Sequence, residues 1–291
     1  MIPSGHTIEK EMRKLLYAAF IAVCLTLVVA ACSDKKPAEQ QAPLTDSIVD
    51  TTATDTMEEL IEEQPIPKAA DELFDDFIFN FAGNRKQQLA RILFPLTVKT
   101  GETVKKIQRK EWAIDHFFMT QGYYTLIFDN RKQLNLPKDT SVSHVVLEKI
   151  NLTDGEVKQY NFDRREGKWM LTSLSNVSMD AHGDASFLRF YQRFATDSLF
   201  QAASLNETVS FSGPNPDDDF EELVGDITPE QWPAFSPGEL PSGMIYNIIY
   251  GKPMGNSHQK IFMLRGISNG QEMEMTFKRV GDHWKLFKLV E

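Results

Sequence analysis

The stretch FDRREGKW, residues 162–169, recurs further along the chain as FKRVGDHW, residues 277–284. In both copies Trp follows Phe by seven residues, and a glycine stands between them in a predicted turn. Because side chains alternate between the faces of a strand, the same register should carry both Trp rings to one face. We therefore predict that Trp169 and Trp284 lie on equivalent strands, each buried under its own helix.

A second aromatic pattern repeats on predicted helices. Its spacing of three and four residues is that of one helical face. The six residues, each pair separated by 113 positions, are Phe74, Phe77, Phe81 and Phe187, Phe190, Phe194. Trp112 and Trp232 form a further pair. These matches predict two tandem domains, over residues 68–180 and 181–291.

Each half has the same predicted order of elements. Two helical segments precede a short strand, an irregular stretch that ends at the Trp, and three or four strands. Asp154-Gly155 and Asn269-Gly270 each separate two strands and favour a type I′ turn. The acidic run at 217–222 is interpreted as a solvated loop that starts a helix. Helices followed by a curled antiparallel sheet indicate the α+β class.

Helices packed on a curved sheet of about 110 residues, with a Gly turn before a buried Trp, resemble the NTF2-like or cystatin-like cone. The duplication resembles an uncharacterised family of bacterial envelope lipoproteins with tandem NTF2-like domains. The resemblance implies two such cones, each with N-terminal helices on a curved antiparallel sheet. It says little about activity, because this fold hosts isomerases, dehydratases, hydrolases and binding modules.

The N-terminus is typical of a secretory leader. Arg13 and Lys14 precede an apolar run from Leu15 to Ala31, which is shorter than the roughly 20 residues of a spanning helix. The end of the leader with the next residue, Val29-Ala30-Ala31-Cys32, resembles the lipobox of bacterial lipoproteins. The resemblance implies a signal peptide over residues 1–31 and lipidation of Cys32. We therefore expect a lipid-anchored protein of the cell envelope, facing the periplasm or the cell surface.

Residues 32–67 are predicted to be the lipidated Cys followed by a disordered acidic tether. From residue 33 onward this segment has nine acidic and two basic residues and no aromatic residue. Such a composition buries too little apolar surface to offset the entropy lost on ordering.

Composition excludes several classes of protein and site. Only two cysteines occur, so a disulfide scaffold and a multi-cysteine zinc site are excluded. The net charge of −10 argues against nucleic-acid binding. The six histidines show no His-x-x-x-His spacing, so no helix-borne metal site is indicated. No cofactor fingerprint occurs, and we expect none to be bound.

Charge is unevenly distributed between the halves. Four basic residues cluster in the first half: Lys105, Lys106, Arg109 and Lys110. The sequence leaves three interpretations of this patch open: it binds the acidic segment of the other half, it binds anionic lipid headgroups, or it has no partner.

The candidate catalytic residues are Asp115 and His116, which follow Trp112. Enzymes of the NTF2-like class place an Asp base with a His or Tyr partner inside the cone, and this resemblance nominates the pair. Adjacent residues point in different directions on a helix or strand, which weakens the assignment. Candidate ligand-binding residues are aromatic and lie on or near predicted strands, where they could line a cavity: Trp112, Tyr123, Tyr160, Trp232 and Tyr246.

The sequence therefore favours a membrane-anchored binding or scaffolding module over an enzyme. Expected partners are the membrane, through the lipid anchor, and an envelope protein or a small apolar ligand. The alternative is a small-molecule isomerase or hydrolase that uses the cone of the first domain, with Asp115 as the base.

Overall fold

The computed structural model describes residues 71–215, 218–238, 240–251 and 257–291. The predicted signal peptide, Cys32 and the whole of the predicted tether lie outside these residues. None of the helices in the described ranges has both the length and the hydropathy needed to cross a bilayer.

Helices and strands alternate in two similar series. The first comprises α1 (Phe74–Gly83), α2 (Arg85–Ala90), β1 (Ile92–Thr100), β2 (Thr103–Ile107), β3 (Tyr123–Phe128), β4 (His144–Asn151), β5 (Glu156–Arg165) and β6 (Lys168–Ser178). The second comprises α3 (Ala185–Phe194), α4 (Ser198–Ala203), β7 (Leu205–Asn215), β8 (Asp218–Ile227), α5 (Trp232–Phe235), β9 (Met244–Tyr250), β10 (Gln259–Gly266), β11 (Glu272–Val280) and β12 (His283–Val290). Short 3-10 helices cover Arg109–Glu111, Phe117–Thr120, Arg131–Lys138 and Met179–Ala181.

Twelve strands of the described residues form one sheet. Their order is β2-β1-β6-β5-β4-β9-β3-β10-β11-β12-β7-β8. Strands β3 and β9 are exchanged: β9 pairs with β4, and β3 pairs with β10. The α+β class holds, but the sheet is mixed, because β1–β6, β12–β7 and β3–β9 are parallel pairs.

Two aromatic cores pack on opposite faces of the central strands. On β10, Ile261 and Met263 belong to the core under α1, whereas Phe262 belongs to the core under α3. The exchanged strands contribute likewise, since Tyr246 of β9 lies in the first core and Ile127 of β3 in the second. Central strands covered on both faces need side chains that are apolar on both faces.

The two predicted Trp positions are equivalent. Trp169 lies near the start of β6 and Trp284 near the start of β12, and both are buried. Trp169 packs edge-on against Phe74 with ring centroids 5.2 Å apart, and Trp284 packs edge-on against Phe187 at 5.4 Å. The prediction that each Trp is buried under its own half's first helix is confirmed.

Three predictions of local structure were wrong. Residues 218–227 form the strand β8 rather than the start of a helix, because they pair with β7. Asp154-Gly155 is not a two-residue type I′ turn, since the β4–β5 pairing closes at Asn151 and Glu156 and only Gly155 of the dipeptide has a positive φ. Asn269-Gly270 is not one either, since it lies in a longer loop between β10 and β11 and only Gly270 of the dipeptide has a positive φ. The consecutive positive φ angles that such a turn requires occur instead at Glu166 and Gly167, between β5 and β6.

Candidate functional site

Gln88 of α2 holds the segment that carries the candidate residues. Its buried amide oxygen accepts hydrogen bonds from the Trp112 indole at 3.0 Å and from the Asp115 backbone N–H at 3.2 Å. Its amide nitrogen donates to the Asp115 carbonyl at 2.8 Å. The Gln88 side chain thus forms hydrogen bonds with three polar groups of an irregular segment, whose backbone groups have no strand to pair with.

Both carboxylate oxygens of Asp115 accept hydrogen bonds from protein donors. The Tyr160 hydroxyl donates to Oδ2 in a very short contact, and the Phe117 backbone N–H donates to Oδ1 at 3.0 Å. Phe117 has a φ of +49°, a left-handed conformation that is unusual for a bulky residue. The carboxylate therefore stabilises a strained turn.

That turn carries two aromatic rings into the interior of the first half. Phe117 and Phe118 are buried. The Phe117 ring centroid lies 4.9 Å from that of Tyr160 and 5.9 Å from that of Phe81. The space between α1 and the sheet is filled here by side chains.

Ionisable groups surround the Asp115–Tyr160 contact. Burial and the Asp115 carboxylate both raise the pKa of Tyr160, which therefore remains a neutral hydrogen-bond donor. The Lys158 ammonium lies 4.6 Å from the Tyr160 ring centroid. Burial lowers the pKa of Lys158, and the nearby Asp115 charge partly offsets this effect.

Tyr246 reaches this site from the second half through the exchanged strand β9. Its ring lies 6.3 Å from that of Phe118, and the Lys149 ammonium lies 5.7 Å from its centroid. Burial and the Asp115 charge raise the pKa of the Tyr246 hydroxyl, while Lys149 lowers it. The site is therefore built from both halves of the chain.

The structure brings together four of the predicted residues, namely Trp112, Asp115, Tyr160 and Tyr246. His116 is exposed beside them. Tyr123 is half-buried and, one residue before Tyr124 of the first core, points to the other face of the sheet. Trp232 belongs to the second core, where its indole donates to Gln201 Oε1 at 2.8 Å and so matches the Trp112–Gln88 bond.

Sequence reasoning missed Gln88, Phe117, Lys149 and Lys158. Gln88 and Gln201 stand 113 positions apart, the offset of the helical Phe residues, so the repeat could have revealed them. Nothing in the local pattern indicates the other three, because their roles depend on contacts between distant elements.

A cleft of about 640 Å³ adjoins this site at Lys158. Six of its nine lining residues have polar side chains, and the lining is Thr100, Asp154, Gly155, Glu156, Val157, Lys158, Asn176, Val177 and Ser178. Such a lining is better matched to the polar surface of another molecule than to a small apolar ligand.

A buried polar network occupies the opposite face of the central strands. Glu148 of β4 accepts hydrogen bonds from Gln159 at 2.9 Å and Asn247 at 3.1 Å, and it contacts His182 Nε2 at 2.7 Å. Asn247 lies on the exchanged strand β9, and it also accepts from the Ile127 backbone on β3 at 3.0 Å. This network connects the two halves at the exchange point.

Fold comparison defines the structural class. A crystal structure of an NTF2-like protein from Bacteroides fragilis matches with a TM-score of 0.69 and 40% sequence identity, covering 78% of this chain and 98% of that one. The chain has the NTF2-like fold. The family model described as domain of unknown function DUF4348 matches residues 53–291, and the chain belongs to this family. Comparison with curated proteins gave no match.

Proposed function

We propose that this NTF2-like protein is a lipid-anchored binding or scaffolding module of the cell envelope, built from two tandem copies of the fold. The repeated element order, the equivalent Trp169 and Trp284, and the matching Trp–Gln bonds support the duplication. The lipobox-like sequence ending at Cys32 supports the anchor.

One observation favours binding over catalysis: both oxygens of the candidate base are already occupied. A general base must reach a substrate proton, but the Asp115 carboxylate faces Tyr160 and Phe117. Tyr160 is wholly buried, and neighbouring rings fill the cone interior. We therefore assign Asp115 a structural role, and we place the binding surface outside the cone, in the polar cleft at Lys158. Its lining favours an envelope protein as the partner.

One observation supports the alternative function, that of an isomerase or hydrolase. Asp115, Tyr160, Tyr246, Lys149 and Lys158 form a cluster of ionisable groups, the usual composition of an acid–base site. Catalysis would require the Phe117 turn to move and open the cone.

Asp115→Asn distinguishes the two functions. The amide can still accept from the Phe117 N–H, so the fold should persist, but it cannot act as a base. Purified wild type and variant are incubated with an extract of envelope metabolites, which are then compared by mass spectrometry. We expect the same metabolites after both incubations. A metabolite that is consumed by the wild type and not by Asp115→Asn would contradict the binding function.

The partner surface is tested by Lys158→Glu at the cleft, with exposed Lys138→Glu as the charge-matched control. Complexes are cross-linked in cells, and the captured protein is then recombined with the purified chain. We expect direct binding that Lys158→Glu weakens and Lys138→Glu does not. Equal binding by both variants would contradict the assignment of the cleft.

A further inference from the structure

The two ends of the sheet present exposed strand edges. Strand β2 forms one end of the described sheet and β8 the other, so each pairs on one side only. Val104 on β2 is 58% exposed and Val224 on β8 is 68% exposed. An edge strand presents unpaired backbone N–H and C=O groups, which can pair with a strand of another chain.

The two edges have opposite charge. Strand β2 carries Lys105 and Lys106, and β8 carries Glu221 and Glu222. Within the described part of the chain neither lysine has an ion-pair partner, and the Glu222 carboxylate accepts only a long bond of 3.4 Å from the Ser212 hydroxyl. Ten strands separate the two edges in the described sheet, and the edges do not pair with each other within one chain.

The free backbone groups can be assigned from the ladders. The β1–β2 hairpin closes at Thr100 and Thr103, so the N–H and C=O groups of Val104 and Lys106 face away from β1. On the other edge, the Ser212 carbonyl accepts from Glu291 and therefore points away from β8. Val224 pairs opposite Ser212, so Val224 and Glu222 turn their backbone groups outward.

We propose that β2 of one molecule pairs antiparallel with β8 of a second copy of this chain. The register that joins outward-facing groups places Val104 opposite Val224 and Lys106 opposite Glu222. On the other face, Lys105 then lies opposite Leu223 and diagonal to Glu221. Apolar and opposite-charge cross-strand pairs both stabilise such a ladder.

The charges also select against some of the competing arrangements. Pairing β2 with β2 so that Lys105 faces Lys105 would oppose lysines, and pairing β8 with β8 so that Glu222 faces Glu222 would oppose glutamates. The contact between β2 and β8 is heterologous, so it leaves a free edge at each end and allows further copies to add. In this register Glu102 lies opposite Asp226, and this like-charge pair opposes the association. The proposed strand pairing involves only the sheet edges, so it requires neither the lipid anchor nor the polar cleft.

Sedimentation velocity of the full chain in detergent tests the proposal. We expect concentration-dependent association that weakens with salt. Lys106→Glu and Glu222→Lys should each lower the association constant by about tenfold. The double variant, which exchanges the two charges, should restore association, and Glu102→Lys should strengthen it. Lys132→Glu, an exposed change of the same charge elsewhere, is the control and should have no effect.

Val104→Pro separates backbone pairing from simple charge attraction. Proline removes an outward N–H without breaking the β1–β2 ladder, so it should abolish association while leaving the fold intact. A wild type that stays monomeric at every concentration would overturn the proposal. It would also be overturned if Lys106→Glu weakened binding to phosphatidylglycerol vesicles but not self-association, since the basic edge would then be a lipid-binding surface.

Discussion

Gln88 and Gln201 make equivalent hydrogen bonds to a Trp indole but differ in burial. Each accepts from a Trp indole, but Gln88 is buried and also satisfies two backbone groups of Asp115, whereas Gln201 is half-buried. Water can replace lost hydrogen bonds at a half-exposed site and cannot do so at a buried one.

We expect Gln88→Leu to lower the free energy of unfolding by about 1 to 3 kcal/mol, because it leaves buried polar groups unsatisfied. Gln201→Leu is the matched control and should cost less. Urea denaturation of both variants measures the difference. Equal losses would show that the Asp115 contacts contribute no more than the bond from Gln201 to the Phe194 carbonyl.

Glu148 and His182 form a buried pair at the exchange point. Burial would raise the pKa of Glu148, but its hydrogen bond to His182 and the His182 charge lower it overall. Burial would lower the pKa of His182, but Glu148 and Asp184 raise it overall, against the opposing effect of Lys260. Both directions favour the charged pair in the folded state.

The sign of the pH dependence follows from these shifts. A raised histidine pKa contributes stability below the unfolded value of 6.5, and this contribution is lost as the pH rises through the higher folded value. The contribution of Glu148 is lost as the pH falls below 4.5. The pair should therefore stabilise most between these values.

We expect the free energy of unfolding of the wild type to fall as the pH rises above 6.5, and we expect a smaller fall in His182→Gln. Urea unfolding between pH 5 and 9 measures it. His144→Gln is the control, because the His144–Asp163 pair is only half-buried and water weakens such pairs. An unchanged slope in His182→Gln would contradict the assignment.

At the scale of elements, the exchange of β3 and β9 joins the two cores. Tyr250 of β9 donates a hydrogen bond to Asp75 of α1, and Ile127 of β3 packs in the core under α3. Neither core is complete without a strand from the other half. Folding of one half therefore requires the other.

We expect Trp169→Ala and Trp284→Ala each to cost about 3 to 5 kcal/mol, the loss for a buried large aromatic side chain. Because the cores share strands, each variant should shift one common unfolding transition. Calorimetry of the wild type and both variants tests this expectation. Two separate transitions, with each variant affecting only one, would show that the halves unfold independently.

At the scale of the whole molecule, the proposed anchor is a single residue. We expect the Cys32→Ala variant to leave the membrane fraction and remain soluble, because without the thiol no acyl chain can be attached. Fractionation followed by immunoblotting measures the distribution, and Cys24→Ala serves as the control. Persistence of the variant in membranes would contradict lipidation.

Local sequence patterns predicted several features of the fold correctly. Apolar spacing predicted the helices that carry Phe77 and Phe190, and the Phe-Gly-Trp stretches predicted equivalent last hairpins. Such features depend on residues within one or two turns of each other, so their periodicity is visible in the sequence. Lipidation of Cys32 stays a prediction, because that residue lies outside the described part of the chain.

Tertiary structure alone decided the strand exchange and the site. Strands β3 and β9 are apolar on both faces, so their pattern does not indicate which neighbour each one pairs with. The acidic strand β8 lacks apolar alternation; it pairs with β7 along its length and places only Ile227 in the second core, among its described residues. The Asp115–Tyr160 contact joins residues 45 positions apart, and Tyr246 arrives from the other half. Such contacts follow from which surfaces pack together, which local spacing does not encode.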